Sequence, residues 1–152
     1  MARVLIVGCG CRGRELARDL VADGHAVRGT TRDPARLEAI AAAGAEPALA
    51  DPDRVGTLVD ALAGVTIVCR LLGAVDDASL HGPRLRALLE RLVDTPVRGY
   101  VHETAGAGDE ALVREAAATW SIPVATVAPE PGTGAARAAI RALLDSPAGQ
   151  KP

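Results

Sequence analysis

A cluster of glycines near the start of the chain carries the clearest chemical signal in the sequence. Gly8-Cys9-Gly10-Cys11-Arg12-Gly13 satisfies the pattern G-x-G-x-x-G, directly after the apolar run Val4 to Val7 and directly before the amphipathic run Arg14 to Val21. In such a turn the first glycine allows a tight bend, the second lets the backbone approach a diphosphate, and the third lets helix and strand pack closely. The start of the helix adds unpaired N–H groups that favour phosphate. The motif predicts a dinucleotide-binding turn; the alternative is a glycine turn that binds nothing.

The residues after the second apolar run bear on the choice of dinucleotide. In NAD sites an acidic side chain about 20 residues beyond the glycines accepts hydrogen bonds from the adenosine ribose. Thr31 stands at that place, and Arg32 follows it. A hydroxyl beside a guanidinium suits a 2′-phosphate, which Arg12 could also reach. We therefore expect NADP(H) to be favoured, with NAD(H) as the alternative. The other interpretation is that Arg32 is solvated and Asp33 only caps the next helix.

Several reactive side chains gather at one opening if the strand order is 3-2-1-4-5-6, because strands one, four and five then lie side by side. They are Cys9, Cys11, Cys69, Arg70, His102, Glu103 and Thr104. Three thiols and an imidazole are a conceivable zinc set or redox switch. The spacing of Cys9 and Cys11 is shorter than that of usual zinc ligands, and the phosphate turn must stay free. We predict no metal; a redox role for the cysteines stays open beside their use as small apolar filler.

Three residues at the end of the fifth apolar run are the only candidates for catalysis. His102 could donate a proton, or it could be a strand-end histidine that bonds a loop. Glu103 could act as an acid or base, or it could bond the loop Gly106-Ala107-Gly108. Thr104 supplies a hydroxyl. The catalytic residues, if there are any, stay unknown.

Apolar runs rich in β-branched residues alternate with amphipathic stretches along the whole chain. The runs are Val4 to Val7, Ala26 to Thr30, Pro47 to Ala50, Val65 to Cys69, Tyr100 to His102 and Val124 to Val127. This alternation is typical of βαβ units on a parallel sheet. We predict an α/β, Rossmann-like, doubly wound sheet of six parallel strands in the order 3-2-1-4-5-6. Helices cover both faces of a single domain over residues 1–145, and residues 146–152 form a flexible tail.

Leucines, valines and alanines at three-and-four spacing predict six helices. Asp33 followed by Pro34 indicates an N-cap and a first helical residue, and Gly44 and Gly64 stand where helices end. One predicted helix covers Val55 to Leu62. Another, the fourth, begins at His81.

Composition excludes several classes of function. The 152 residues carry a net charge of −2, and 49% of them are hydrophobic, without an apolar run near the ~20 residues that span a bilayer. Nucleic acid and membrane are therefore poor partners. Three cysteines, an odd number, favour a reducing cytoplasm over a disulfide framework. Lys151 is the only lysine, so a mechanism that needs a buried lysine is excluded.

The order of these motifs resembles that of a known family. Gly8 to Gly13, Thr30 to Pro34, Gly44 to Glu46, Ala50-Asp51 and Val65 to Leu72 are similar to the NAD(P)-binding Rossmann half of atypical and extended short-chain dehydrogenases/reductases. NmrA-like and epimerase-type proteins belong to that group, and the resemblance covers about residues 2–131. It implies that Asp51 lies beside the adenine and that Leu71, Leu72 and Gly73 line the nicotinamide side.

The sequence also departs from this family. Members that transfer hydride pair a Tyr with a Lys four residues later, together with a Ser or Thr near the end of the fifth strand. Thr104 could be that hydroxyl, but Tyr100 lies within the predicted strand and has no Lys to pair with. The substrate-binding portion that follows the sixth strand in extended members has no room here.

Three functions are compatible with these residues. The first is a non-catalytic NADP(H)-binding module that senses nicotinamide redox state or passes it to a partner. The second is a small NADPH-dependent reductase or isomerase that uses His102, Glu103 or Thr104 and completes its pocket across a homodimer. The third, ranked lower because such domains favour an acid where Thr31 stands, is a potassium-channel type of regulatory nucleotide-binding domain.

Overall fold

A computed structural model describes residues 2–146 of the chain, and the predicted tail lies outside this range from residue 147 onward. The strands are β1 Arg3–Val7, β2 Ala26–Thr31, β3 Glu46–Leu49, β4 Ile67–Arg70, β5 Gly99–Glu103 and β6 Val124–Val127. The helices are α1 Cys11–Ala22, α2 Leu37–Ala42, α3 Ala78–His81, α4 Pro83–Leu92, α5 Ala107–Trp120 and α6 Gly134–Asp145. All six predicted strands are present, with ends that differ from the predicted ones by up to two residues.

One sheet contains all six strands in the order β3-β2-β1-β4-β5-β6, and every pair is parallel. Strand β1 is central: Val4 is opposite Val27 of β2 and Ile67 of β4. The order reverses between β2 and β4, which makes the carboxyl end of β1 the topological switch point. The predicted Rossmann-like fold is confirmed.

Apolar side chains of the strands alternate between two core layers, one on each face of the sheet. Leu5 and Val7 face α4, α5 and the segment before β4, whereas Val4 and Ile6 face α1, α2 and α6. All four are fully buried. A strand covered on both faces has no solvent side, which explains the unbroken apolar run before the glycine turn.

The predicted helix over Val55 to Leu62 is wrong. Two short 3₁₀ turns, Val55–Leu58 and Asp60–Leu62, replace it. Several β-branched residues and a glycine make this stretch a weak helix former. The Thr57 hydroxyl also donates to the carbonyl oxygens of Asp51, at 3.0 Å, and Arg54, at 2.7 Å, and thereby competes with helical bonds.

Arg28 of β2 holds these turns against the sheet. Its guanidinium is buried and donates to the carbonyl oxygens of Ala61, at 2.6 Å, and Ala63, at 2.9 Å, while Glu46 of β3 accepts a third bond. Backbone carbonyls that a regular helix would use are satisfied here by a side chain.

The predicted start of the fourth helix at His81 is also wrong. His81 ends the short helix α3, and Pro83 opens α4 after Gly82. A proline disfavours helical backbone at the residue before it, and its ring cannot donate the helical hydrogen bond. The break therefore falls at Gly82.

No helix within residues 2–146 is long and apolar enough to cross a membrane.

Candidate functional site

A groove of about 330 Å³ lies over the carboxyl ends of β1 to β4, at the switch point of the sheet. This is where doubly wound sheets bind their ligands. The lining residues are Gly8, Cys9, Gly10, Thr30, Thr31, Arg32, Arg36, Ala50, Asp51, Pro52, Asp53, Leu71, Leu72, Val75, Asp77 and Leu80. Eight of the residues predicted to bind cofactor are among them: Gly8, Cys9, Gly10, Thr31, Arg32, Asp51, Leu71 and Leu72.

The glycine turn is held rigidly against its neighbours. Gly8 has φ of +85°, a backbone conformation that L residues rarely adopt, and a Cβ there would lie 2.7 Å from Leu72 Cδ2. The Cys9 amide donates to the carbonyl of Thr30 at 3.0 Å, and the Gly8 amide donates to the Thr30 hydroxyl at 3.3 Å. Contacts within the protein thus preorganise the turn for a ligand.

Gly10 faces open space at the start of α1. A Cβ at Gly10 would meet no atom within 4 Å, so packing does not require glycine at this position. Gly10 is the N-cap of α1 and gives no side-chain cap to the first turn. The first N–H groups of a helix have no partner within the helix and carry its positive dipole end. The space above Gly10 and these amides fit a diphosphate.

Arg32 projects from the loop after β2 at the far side of the groove. The Asp33 amide donates to the Thr31 hydroxyl at 3.1 Å, which fixes the bend that exposes Arg32. Arg32 forms no ion pair with any residue that the structure describes, and Arg36 lies 3.7 Å from Asp33. Both arginines therefore border this side of the groove. As predicted, Asp33 also caps the next helical segment, since its carboxylate accepts from the Ala35 amide.

The opposite wall is mixed in character. Asp51 lines the groove, and one of its carboxylate oxygens accepts from the Asp53 amide at 2.9 Å. Leu72, Val75 and Leu80 form an apolar surface on the β4 side. An apolar wall with a few directed polar groups is the usual make-up of a small-molecule site.

The three predicted cysteines do not converge. Cys9 lines the groove but is mostly buried, Cys69 is buried in the sheet, and Cys11 is exposed on α1. Burial raises the pKa of Cys9 to about 11 and that of Cys69 to about 12, so both stay thiols at neutral pH. No three His, Cys, Asp or Glu side chains of residues 2–146 lie together as metal ligands would.

His102 belongs to a buried polar chain outside the groove. Tyr100 donates its hydroxyl proton to His102 Nδ1 at 2.8 Å, and His102 Nε2 donates to the Asp109 carboxylate at 2.7 Å. Both rings are fully buried and stacked, with centroids 5.7 Å apart. Asp109 also accepts from the amides of Ala105 and Gly106 at the start of α5. This series of hydrogen bonds joins β5 to α5.

Burial and neighbouring charges determine the protonation states of Tyr100, His102 and Asp109. Burial lowers the pKa of His102, the positive charge of Arg70 lowers it further, and the bond to Asp109 only partly opposes them. Burial acts to raise the pKa of Asp109, but hydrogen bonds from Ala105, His102 and Gly106 outweigh it and the pKa is lowered. Burial raises the pKa of Tyr100. His102 is therefore neutral and Asp109 ionised at neutral pH.

Glu103 is buried and paired. Arg12 of α1 donates to one carboxylate oxygen, and the Gly73 amide donates to the other at 3.0 Å. Arg12 therefore contacts Glu103 rather than the Arg32 side of the groove. The loop that Glu103 was expected to bond is instead held by Asp109.

Thr104 continues the pairing of β5 with β6, since its amide donates to the Val127 carbonyl at 2.9 Å. Neither Thr104 nor Glu103 lines the groove among the residues described. Of the other predicted binding residues, Cys11, Arg12 and Gly13 lie in the first turn of α1 behind Gly10, where Gly13 is buried.

Sequence reasoning missed two features of the site. Arg36 lies four residues beyond Arg32, at the end of the 3₁₀ turn Pro34–Arg36, and borders the same groove, as its position after Pro34 could have suggested. Asp109 stands three residues after the helix N-cap Gly106, the position of an acid in a capping box, and this spacing could have identified the partner of His102.

A second depression, of about 280 Å³, lies between the carboxyl-terminal end of α1 and the side of α6. Its polar groups already bond one another, because Arg137 donates to both carboxylate oxygens of Asp23. α1 is 12 residues long, so about 18 Å separate this depression from the glycine turn.

Solved structures share the fold at low sequence identity. The UDP-glucose 4-epimerase of Thermus thermophilus in complex with NAD has a TM-score of 0.67 and 16% identity over 82% of this chain and 53% of its own. Vestitone reductase from alfalfa has 0.63 and 15%, over 83% and 56%. AtPrR2 with NADP+ and (+)pinoresinol has 0.65 and 17%, over 84% and 49%. The chain thus spans about half the length of each structure.

No curated protein matches the sequence significantly. The profile of a family described as NAD(P)H-binding matches residues 8–144, which include the glycine turn, the groove and five of the six strands, all except β1. The predicted NAD(P)-binding Rossmann domain is confirmed, and the solved epimerase and reductase structures share its fold. The chain belongs to the NAD(P)H-binding family.

Proposed function

We propose that the chain binds NADP(H) in the groove over β1 to β4 and acts as a non-catalytic regulatory module, whose output is its occupancy. The observation that carries this proposal is the open space above Gly10 beside the uncapped first turn of α1. The diphosphate would lie on those amides, with the adenosine between Asp51 and the loop after β2. The bound cofactor would supply a redox-active nicotinamide.

The charges at the loop after β2 support NADP(H) over NAD(H). Arg32 is exposed, without an ion pair in the described chain, and no acid occupies the position of Thr31. A 2′-phosphate would give Arg32 a charge-assisted hydrogen bond that NAD(H) cannot give.

The state of the polar side chains around β5 supports a binding role rather than turnover. Tyr100 is buried, donates to His102 and has a raised pKa, so it is a poor proton donor to any ligand. Glu103 is already bonded to Arg12 and Gly73. No lysine within residues 2–146 can assist either group.

Calorimetric titrations test the cofactor preference. We expect Arg32→Gln to weaken NADPH binding at least tenfold, since a hydrogen bond to a charged group contributes ~1.5–3 kcal/mol, and to leave NADH binding unchanged. Arg91→Gln, an exposed arginine on α4, is the matched control. Equal affinities for NADPH and NADH in the wild type would contradict the preference.

Turnover measurements test the absence of catalysis. We expect no steady NADPH consumption with a panel of aldehydes, ketones and quinones at protein concentrations that saturate binding. Consumption that Thr104→Ala or His102→Gln abolishes would instead establish a small reductase with non-standard catalytic residues.

A further inference from the structure

The ion pair between Arg12 and Glu103 crosses the carboxyl end of β4. Arg12 lies in the first turn of α1, which follows β1, and Glu103 is the last residue of β5. Strand β4 lies between β1 and β5 in the sheet. The pair therefore connects the glycine turn with the β5 side directly above the end of β4.

The Glu103 end of this pair is anchored. Its side chain is 1% exposed and also accepts from the Gly73 amide at 3.0 Å. Gly73 packs so closely that a Cβ there would lie 2.6 Å from the Thr104 carbonyl oxygen and 2.7 Å from Glu103 Cγ. A buried carboxylate with two donors holds its position, because loss of either donor leaves a desolvated charge without compensation. The hydrogen bond to Glu103 also raises the pKa of Arg12.

The pair lies outside the lining of the groove. A dinucleotide on a doubly wound sheet lies across the switch point, with adenosine on the β2 side and its other half toward β4 and β5. Residues at the ends of β1, β2, β3 and β4 line the groove, but none of Arg12, Glu103 and Thr104 does so in the described part of the chain. Its volume of about 330 Å³ is near the lower limit of the ~300–1,000 Å³ usual for ligand sites.

We propose that the Arg12–Glu103 pair is a latch that closes the nicotinamide half of the groove and so determines ligand choice. With the latch closed, the protein binds 2′-phosphorylated adenosine diphosphates with similar affinity whether or not they carry nicotinamide. The nicotinamide end makes contact only when the pair opens. This inference rests on the proposed function, because it assumes that the adenosine and phosphate portion binds at the glycine turn.

Two ligands that differ only in nicotinamide test the latch. Calorimetry with the wild type compares NADPH with 2′-phospho-ADP-ribose, and the fluorescence of bound NADPH reports the surroundings of its nicotinamide. We expect the two dissociation constants to agree within about threefold, and the NADPH emission to remain that of the free cofactor, because the nicotinamide end stays in solvent.

The double variant Arg12→Gln/Glu103→Gln removes the ion pair without leaving a buried charge, and a Gln at 103 can still accept from the Gly73 amide. We expect its NADPH affinity to rise at least tenfold over that for 2′-phospho-ADP-ribose, with a change in NADPH emission. Arg137→Gln breaks an ion pair with Asp23 at the other end of α1 and serves as control, with both affinities unchanged.

The outcomes separate the two proposals. If the wild type binds NADPH more than tenfold tighter than 2′-phospho-ADP-ribose, the latch is overturned while the proposed function stands. The latch is equally overturned if the folded double variant still binds both ligands alike. If the wild type binds neither ligand, both proposals fail. The wild-type comparison can overturn the latch even if the variant does not fold.

Discussion

Gly8 and Gly10 meet different constraints within one six-residue turn. At Gly8 the backbone is left-handed and Leu72 occupies the place of a side chain, so glycine is required by the fold itself. At Gly10 the backbone has φ of −80° and a side chain would meet open space. The fold explains the first glycine, and we attribute the second to a phosphate that approaches the backbone.

This difference gives a paired prediction. Gly8→Ala should lower the free energy of unfolding by about 2–4 kcal/mol, from left-handed strain and overpacking against Leu72. Gly10→Ala should lower it by less than about 1 kcal/mol but weaken NADPH binding at least tenfold, because its methyl group enters the phosphate space. Urea unfolding and calorimetry measure both quantities. Wild-type NADPH affinity in Gly10→Ala would show that the space above Gly10 is not the phosphate site.

The positions of the groove residues followed from the sequence because each is tied to a strand end. Thr31 ends a strand, and the other four, Arg32, Asp51, Leu71 and Leu72, lie within two residues after one. In a parallel sheet those ends share one edge. The contact between Arg12 and Glu103 joins residues 91 positions apart and depends on the direction of one long side chain, which no local pattern specifies.

Among the elements, the junction of β5 with α5 depends most on buried polar groups. Tyr100 and His102 are two residues apart on β5 and share one face of the strand. Asp109 of α5 completes their series of hydrogen bonds. The two-residue period of a strand places the first two on one face. It could not predict burial of His102, because Asp109 reaches it only through the turn of Ala105 and Gly106.

Loss of the Asp109 carboxylate should destabilise the fold. Asp109→Ala removes a helix-capping acceptor and leaves His102 Nε2 buried without a partner, which together cost about 2–4 kcal/mol. Glu110→Ala, which loses only an exposed pair with Arg114, should cost less than about 1 kcal/mol. Urea unfolding compares the two variants, and equal losses would contradict the role of the buried chain.

The lowered pKa of His102 makes stability fall on acidification. An unfolded histidine titrates near pH 6.5. Just below that pH the unfolded protein binds a proton at His102, whereas the folded protein does not. The free energy of unfolding should therefore decrease as the pH falls from about 6.5 toward the folded pKa, and Asp109 should add a further loss below about pH 3.8. His102→Gln should reduce the first slope. A slope in this variant equal to that of the wild type would refute the assignment to His102.

Element boundaries were harder to predict than element order. The apolar runs specified six strands, since strands buried on both faces leave a continuous signal. Apolar residues three apart are common to α-helices and 3₁₀ turns, so the spacing of Val55, Leu58 and Leu62 could not distinguish them. The hydrogen bonds of Thr57 and Arg28 favour the 3₁₀ turns over a regular helix. Each of them joins a residue of this segment to a residue outside it.

For the whole molecule, we expect one groove at one edge of the sheet to be responsible for binding. The groove is formed by the glycine turn, the loop that carries Arg32 and an apolar wall. These parts follow the ends of four different strands. Since its parts come from the folded sheet alone, ligand should bind the native state and stabilise it, by ~2.7 kcal/mol at a ligand concentration of 100 times Kd. Urea unfolding with and without NADPH measures this gain, and unchanged stability at saturating NADPH would contradict binding to the folded state.

Amide chemical-shift mapping during an NADPH titration tests the location of binding most directly. We predict that the largest shifts fall on residues 8–13, on Thr31 and Arg32, and on Asp51 and Leu72. The residues around Asp23 and Arg137, at the far end of α1, should stay nearly unchanged. Largest shifts around Asp23, or no saturable shifts at millimolar NADPH, would contradict dinucleotide binding at the glycine turn.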